Sequence, residues 1–229
     1  MQANPRLWVS APLPFDAASI APADGAPPRE LILMLHGYAE TGARMLKKLA
    51  SALPGELQSS ALTLAPNGPF LMPHRTEQGY AATYSWYFYD PGTDEYAVDM
   101  RTSVEFLRRA LDSLGLAELP TRIIGFSQGG FLSPIAAAGL GQVRQFIGIG
   151  CEYLVDEIPG PIPGSMPYRV DAVHGSLDES VSLESARSSH RRLMELGVRG
   201  SFQCIDGSGH RIDDAIRGVV RQLLSIPLA

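Results

Sequence analysis

A serine between glycines, an aspartate and a histidine follow one another along this chain, and together they can activate a hydroxyl for attack on a carbonyl carbon. The serine is Ser127, in Gly125-Phe126-Ser127-Gln128-Gly129, a G-x-S-x-G pattern. In a chain with 23 glycines the bare pattern is weak, and its neighbours strengthen it. Arg122-Ile123-Ile124 before it reads as a buried strand and Phe131 to Ala138 after it as a helix. A nucleophile elbow needs that setting, because the serine sits on a strained turn and the flanking glycines relieve crowding around it.

A serine hydroxyl is a poor nucleophile without a base, so a histidine should lie after an acidic residue in chain order. Of the five histidines, His210 in Gly207-Ser208-Gly209-His210 falls between the last strand and the last helix, where it can reach over a sheet edge. His74 and His190 read as exposed loop and helix-face residues. His36 and His174 each precede a glycine at a strand end and read as structural, bonding local backbone. For the acid, Asp178 lies in the loop His174-Gly175-Ser176-Leu177-Asp178 after a strand. Its task would be to accept the imidazole N–H, fix the tautomer and stabilise the imidazolium. Glu179 is a competitor, and a surface Asx turn is the plainer use of Asp178. Asp171 falls inside a strand, Asp206 abuts the base's own loop and Asp156 belongs to the preceding connection.

A tetrahedral oxyanion needs two preorganised donors. The backbone N–H of Gln128, at a helix N-terminus, is one candidate; that of Tyr38, in His36-Gly37-Tyr38 after an apolar strand, is the other. Tyr38 is also a candidate pocket aromatic. No H-E-x-x-H, paired C-x-x-C, nucleotide or flavin fingerprint occurs, so neither metal nor other cofactor is expected. Cys151 reads as a buried packing residue beside the site.

These residues must be carried by strands alternating with helices. Leu31 to Leu35 is a continuous apolar run, as expected of a strand covered on both faces. Ala61 to Ala65, Arg122 to Gly125, Phe146 to Gly150, Arg169 to His174 and Ser201 to Ile205 read as further strands, and Leu7 to Ser10 as an N-terminal edge strand. Met100, Val104, Leu107, Leu111 and Leu114 form a helical stripe ended by Gly115, and Ile216, Val219, Val220, Leu223 and Leu224 form the last one, capped by Asp213 or Asp214. Weaker helical patterns cover Thr41 to Leu53 and Ser182 to Leu196, and Pro134 should bend the helix after the elbow. The alternation implies a three-layer α/β architecture with a mostly parallel central sheet flanked by helices, as one domain over residues 1–229. The loops Pro66 to Gly92 and Glu152 to Pro167 are long enough to wall a site. Phe70, Met72 and Trp86 in the first are the expected substrate-binding residues.

With 45% hydrophobic and 19% charged residues the composition is that of a globular protein, and a net charge of −5 argues against nucleic acid as a partner. The basic pairs Lys47-Lys48, Arg108-Arg109 and Arg191-Arg192 read as solvated helix faces. Two cysteines suit a reducing compartment, and neither a leader pattern nor a transmembrane run is apparent, so a cytoplasmic enzyme is the expectation.

Four patterns taken together resemble the phospholipase/carboxylesterase family of α/β hydrolases, which includes acyl-protein thioesterases: Leu35-His36-Gly37-Tyr38 with Thr41-Gly42, Gly125 to Gly130, His174-Gly175-x-x-Asp178, and Gly209-His210. The resemblance implies an α/β-hydrolase fold and a cofactor-free serine hydrolase with Ser127, Asp178 and His210 as its triad and Tyr38 and Gln128 as oxyanion donors. The Pro66 to Gly92 loop, with Phe70, Leu71, Met72, Trp86, Tyr87 and Phe88 and few cations, points to small to medium uncharged acyl esters or thioesters as substrates. The chain departs from the family at Glu40, where an aspartate is frequent, and in Ser85-Trp86-Tyr87-Phe88-Tyr89-Asp90, a stretched Trp-Phe-Asp motif. A hydrolase of another acyl bond (peptide, lactone or acetylated sugar) and a non-catalytic ligand-binding domain of the same fold stand as alternatives.

Overall fold

A computed structural model of the chain describes residues 14–158 and 168–227. The strands are β1 (Ala17–Ile20), β2 (Glu30–Leu35), β3 (Ala61–Pro66), β4 (Phe70–Thr76), β5 (Gly79–Ser85), β6 (Phe88–Asp90), β7 (Glu95–Val98), β8 (Thr121–Phe126), β9 (Val143–Ile149), β10 (Arg169–Gly175) and β11 (Arg199–Ile205). The helices are α1 (Gly42–Leu49), α2 (Gly55–Ser60), α3 (Met100–Ser113), α4 (Gln128–Leu140), α5 (Leu183–Glu195) and α6 (Asp214–Leu224). Among the described residues seven strands form one sheet in the order β1-β3-β2-β8-β9-β10-β11, parallel except for β1, which runs antiparallel to β3.

Alternation along each central strand sorts its side chains onto two faces. Leu31, Leu33, Leu35, Ile123, Phe146 and Val170 face one core with Leu107 and Leu111 of α3, Leu132 and Ile135 of α4 and Leu193 of α5. Ile32, Met34, Ile124, Ile147 and Val173 face a second core with Met45 and Leu49 of α1 and Ile216 and Val220 of α6. Helices on both faces make the expected three layers and explain the unbroken apolar run of β2.

The helix ends follow local chemistry. Asp99 accepts from the Arg101 N–H, Ser182 from that of Ser185, and Asp213, not Asp214, from that of Ile216. Gly115 and Gly197 lie just beyond α3 and α5 with φ of 69° and 87°, which a glycine adopts without strain. Leu114 ends the α3 stripe but is 51% exposed, because it caps the helix instead of continuing its buried face.

Several expectations are corrected. The helical pattern Thr41 to Leu53 breaks into α1 and a short 3-10 turn at Ala50–Ala52, and α2 follows it. The segment from Pro66 to Gly92 is not a plain loop: β4 pairs with β5, and β6 with β7, as two antiparallel ribbons. Pro134, where a bend is expected, lies inside α4, and one residue before it the Ser133 hydroxyl donates to the Gly129 carbonyl one turn back. The expected strand Leu7 to Ser10 lies outside the described residues, as do residues 159–167 of the second long loop; β1 is the sheet's edge among those described.

Candidate active site

The parallel strands place three connections side by side at the carboxyl edge of the sheet, after β8, β10 and β11, and each supplies one polar side chain. Ser127 joins β8 to α4 with φ 49° and ψ −119°, a conformation L-residues rarely adopt. Its neighbours make that turn possible. A Cβ on Gly125 would lie 2.3 Å from the Gly129 carbonyl oxygen, and one on Gly129 would lie 2.3 Å from that of Leu35. The two glycines of the motif are therefore required by close backbone approach.

From that turn the Ser127 hydroxyl lies 2.9 Å from His210 Nε2, and His210 Nδ1 lies 2.8 Å from Asp178 Oδ2. An ionised carboxylate only accepts, so the proton sits on Nδ1 and leaves Nε2 to accept from the serine. Burial pushes the Asp178 carboxyl up, but the bond from His210 and those from the Val181 and Ser180 N–H groups to Oδ1 outweigh it and hold the group below its ordinary range. Asp178 is thus an anion at neutral pH with both oxygens occupied and its side chain fully buried. The competing Glu179 is exposed, and Asp206 instead accepts from the Ser176 hydroxyl. The His210 ring packs on Phe126, with centroids 5.0 Å apart, and remains partly open to solvent.

Of the other histidines, His36 is buried, with Nδ1–H donating to the Gly37 carbonyl at 2.7 Å and Nε2 accepting from the Gly68 N–H at 3.0 Å. His174 is buried beside Asp178, its Nε2 3.0 Å from the Val181 carbonyl. Both occupy the structural places expected of them. His190 does not: α5 turns it inward, 4% exposed and 3.2 Å from the Val170 carbonyl. His74 is exposed on β4.

The turn after β2 lies against the serine, since a Cβ on Gly37 would lie 3.5 Å from Ser127 Cβ. Glu40 steadies this turn. Its carboxylate accepts from the Gly37 N–H and pairs with Lys48, so Lys48 is not the free surface cation its sequence suggests. Tyr38 and Gln128 border the same cleft of about 290 Å³ as Ser127, and Tyr87, Phe88, Tyr89 and Phe131 complete its wall.

The substrate-binding expectation is corrected here. Trp86 is fully buried in the core beneath the cleft, its single N–H satisfied by the His36 carbonyl at 2.9 Å. A large aromatic ring with its one donor paired is at home there. Phe70 packs its ring 5.8 Å from that of Phe88, and Met72 lies on the β4 ribbon; neither lines the cleft. Other aromatics of the same loop, Tyr87 and Phe88, do line the cleft, and Tyr89 and Phe131 join them without a sequence signal that singles them out. Glu152, Tyr153 and Val155 line a groove against α5 instead of walling the serine, with Val155 in the core. Cys151 is buried, as expected, and burial pushes its thiol up. Among the described residues no group of three or more His, Cys, Asp or Glu side chains is placed to hold a metal, and no helix is long and apolar enough to cross a membrane.

A family model described as Serine hydrolase (FSH1) matches residues 28–148, more than half of the 229-residue chain. Solved structures with the same fold include esterase PE8 (21% identity, 92% of this chain and 97% of that one, TM-score 0.67). They also include Zea mays acyl-protein thioesterase 2 (17%, 92% and 97%, TM-score 0.69) and the Bacillus cereus carboxylesterase (15%, 92% and 93%, TM-score 0.64). At these identities they establish an α/β-hydrolase fold. No curated protein matches the sequence.

Proposed function

The chain belongs to the Serine hydrolase (FSH1) family, and on that premise we propose that it cleaves small to medium carboxylic esters or thioesters through an acyl-enzyme on Ser127. The observation that carries this reading is the relay Ser127–His210–Asp178, with bonds of 2.9 and 2.8 Å joining three separate connections. His210 Nε2 takes the Ser127 proton as Oγ attacks the carbonyl carbon. The N–H groups of Gln128 and Tyr38 hold the oxyanion. On collapse of the tetrahedral intermediate, the imidazolium returns the proton to the departing alkoxide or thiolate. Water, deprotonated by the same nitrogen, then releases the acid and restores Ser127. Asp178 stays ionised throughout and balances the imidazolium.

The cleft supports the substrate class. Its volume of about 290 Å³ is at the small end for ligand sites, and its rings suit an uncharged acyl or alcohol group. Tyr89 is held by a bond from its hydroxyl to Asp94 and, with Tyr87, packs on Tyr96. Hydrolysis of acetate, butyrate, hexanoate and octanoate esters of one chromogenic alcohol tests the reading, with Ser127→Ala as the inactive control. A fluorophosphonate should label Ser127 alone. An adduct mapped to another residue, or a marked preference for anionic acyl groups, would refute the assignment of nucleophile or substrate respectively.

A further inference from the structure

The two amides proposed to hold the oxyanion belong to different segments. That of Tyr38 sits in the turn after β2 and that of Gln128 opens α4. Donors of this kind act only when both lie about 2.7–3.1 Å from the developing charge, so their separation must be fixed. One buried residue touches both segments. The Trp86 indole N–H donates to the His36 carbonyl at 2.9 Å, and its backbone N–H donates to Gln128 Oε1 at 3.0 Å.

The rest of the Gln128 carboxamide is committed to the same strip of chain. Nε2 donates to the Tyr87 carbonyl at 2.8 Å and to Ser85 Oγ at 2.9 Å, and that hydroxyl in turn donates to the Tyr87 carbonyl at 2.8 Å. The Trp86 carbonyl accepts from Ser103 on α3. Ser85, Trp86, Ser103 and His36 are all fully buried and Gln128 is 7% exposed, so water cannot replace any of these bonds. A satisfied polar network in such surroundings is stiff.

We infer that Trp86, Ser85 and the side chain of Gln128 form a positioning clamp that sets the distance between the Tyr38 and Gln128 amides. The inference rests on the proposed esterase reading. Trp86 then acts on the chemistry from the core, without touching substrate, by tying the carbonyl two residues before Tyr38 to the residue after the nucleophile. A displacement of about 1 Å in such a donor is worth roughly a hundredfold in rate, so partial loosening should be visible in turnover before it is visible in binding.

The test compares Trp86→Phe, which removes the indole N–H, with Gln128→Met, which keeps the backbone amide and side-chain length but no hydrogen-bonding groups. Active sites are counted by exhaustive fluorophosphonate labelling, so that unfolded protein does not enter kcat. Each variant should lose about tenfold or more in kcat per labelled site, with KM within about twofold. Phenylboronic acid, which forms a tetrahedral adduct on the serine, should bind more weakly by a similar factor. A role confined to packing would lower the thermal midpoint and leave per-site kcat and boronate affinity unchanged, and that result overturns the clamp. Should Trp86→Phe not fold, Gln128→Met and Ser85→Ala carry the same comparison. Residual activity in Ser127→Ala would sink the esterase reading itself, whereas an inert Ser127→Ala beside unaffected clamp variants sinks the clamp alone.

Discussion

The two ends of the central strands each carry a chain of hydrogen-bonded polar side chains, and the two chains are built for opposite purposes. At the amino edge, Arg122 donates to Glu30 at 3.1 Å and to Gln145 at 2.8 Å, and Gln145 donates to Asp171 at 2.9 Å. Asp171 also accepts from Arg169 and from the Ser201 hydroxyl and N–H. Arg122 and Gln145 reach the carbonyls of Ile226 and Leu223, pinning the end of α6 to the sheet. At the carboxyl edge, Asp178, His210 and Ser127 form a shorter chain whose last atom faces a cleft. Both chains contain a buried carboxylate; only the second ends on a group able to form a new bond. A buried polar relay becomes chemistry where it ends on an open cleft and a strained turn, and becomes a rivet where its members are tied to one another and to backbone.

Four measurements can break or sharpen that contrast. The largest effect is expected at the open end: Ser127→Ala or His210→Ala should lower ester turnover by about a thousandfold or more while leaving urea denaturation nearly unchanged. If either variant unfolds instead, the carboxyl edge is a rivet too. Next, Asp178→Asn should lower kcat by roughly a hundredfold or more through the wrong histidine tautomer, and Glu179→Gln should leave it near wild type. Crippling by Glu179→Gln would put the acid one residue later.

At the closed end, Arg122→Met should cost about 3 kcal/mol in urea unfolding, because it strands Glu30 and the Gln145 side-chain carbonyl, with kcat per labelled site preserved. Equal losses of turnover and stability would erase the distinction between the edges.

The smallest effect is on pH dependence. Burial lowers the pKa of both His36 and His190 below the ordinary histidine value. Between that lowered value and the unfolded one near 6.5, the unfolded chain binds more protons, so their contribution to stability is complete above about pH 6.5 and falls as the pH drops toward the folded-state values. His190→Gln should therefore show a smaller decline in thermal midpoint between pH 7.5 and 5.5 than wild type, and an identical decline would remove His190 from the account.

How much of this the sequence makes legible depends on which signals are local. The elbow is readable because G-x-S-x-G sits between an apolar run and a helix, and the layered fold because β2 admits no polar interruption. Asp178 and His210 can be placed by chain order and by the strands that precede them. Trp86 is misassigned because hydrophobicity attracts a side chain equally to a core and to a pocket wall; its location is decided by the carbonyl that pairs its N–H. His190 is misplaced for a related reason, since a largely polar helix such as α5 gives little sign of which polar residue turns inward. The ribbons β4–β5 and β6–β7 escape notice because they are mostly exposed and bury no apolar side chain: β4, β6 and β7 have no buried position, and those of β5 are the polar Thr83 and Ser85. Sheet order, which sets β2 beside β8 so that Leu31 pairs with Thr121 and Leu35 with Gly125, is a tertiary fact that no local pattern encodes.

The turn at Ser127 has one more consequence, which concerns time and order. Its backbone conformation costs about 1–3 kcal/mol and persists only while the surroundings impose it. Those surroundings are the docking of α4 against β2 and β8, through the contacts that Gly125 and Gly129 permit. The Ser127 turn is therefore assembled only once helix and sheet have met, and it relaxes as soon as they part. On the proposed role of Ser127, turnover doubles as a gauge of tertiary order: in mild urea it should fade while the helical circular dichroism signal is still intact.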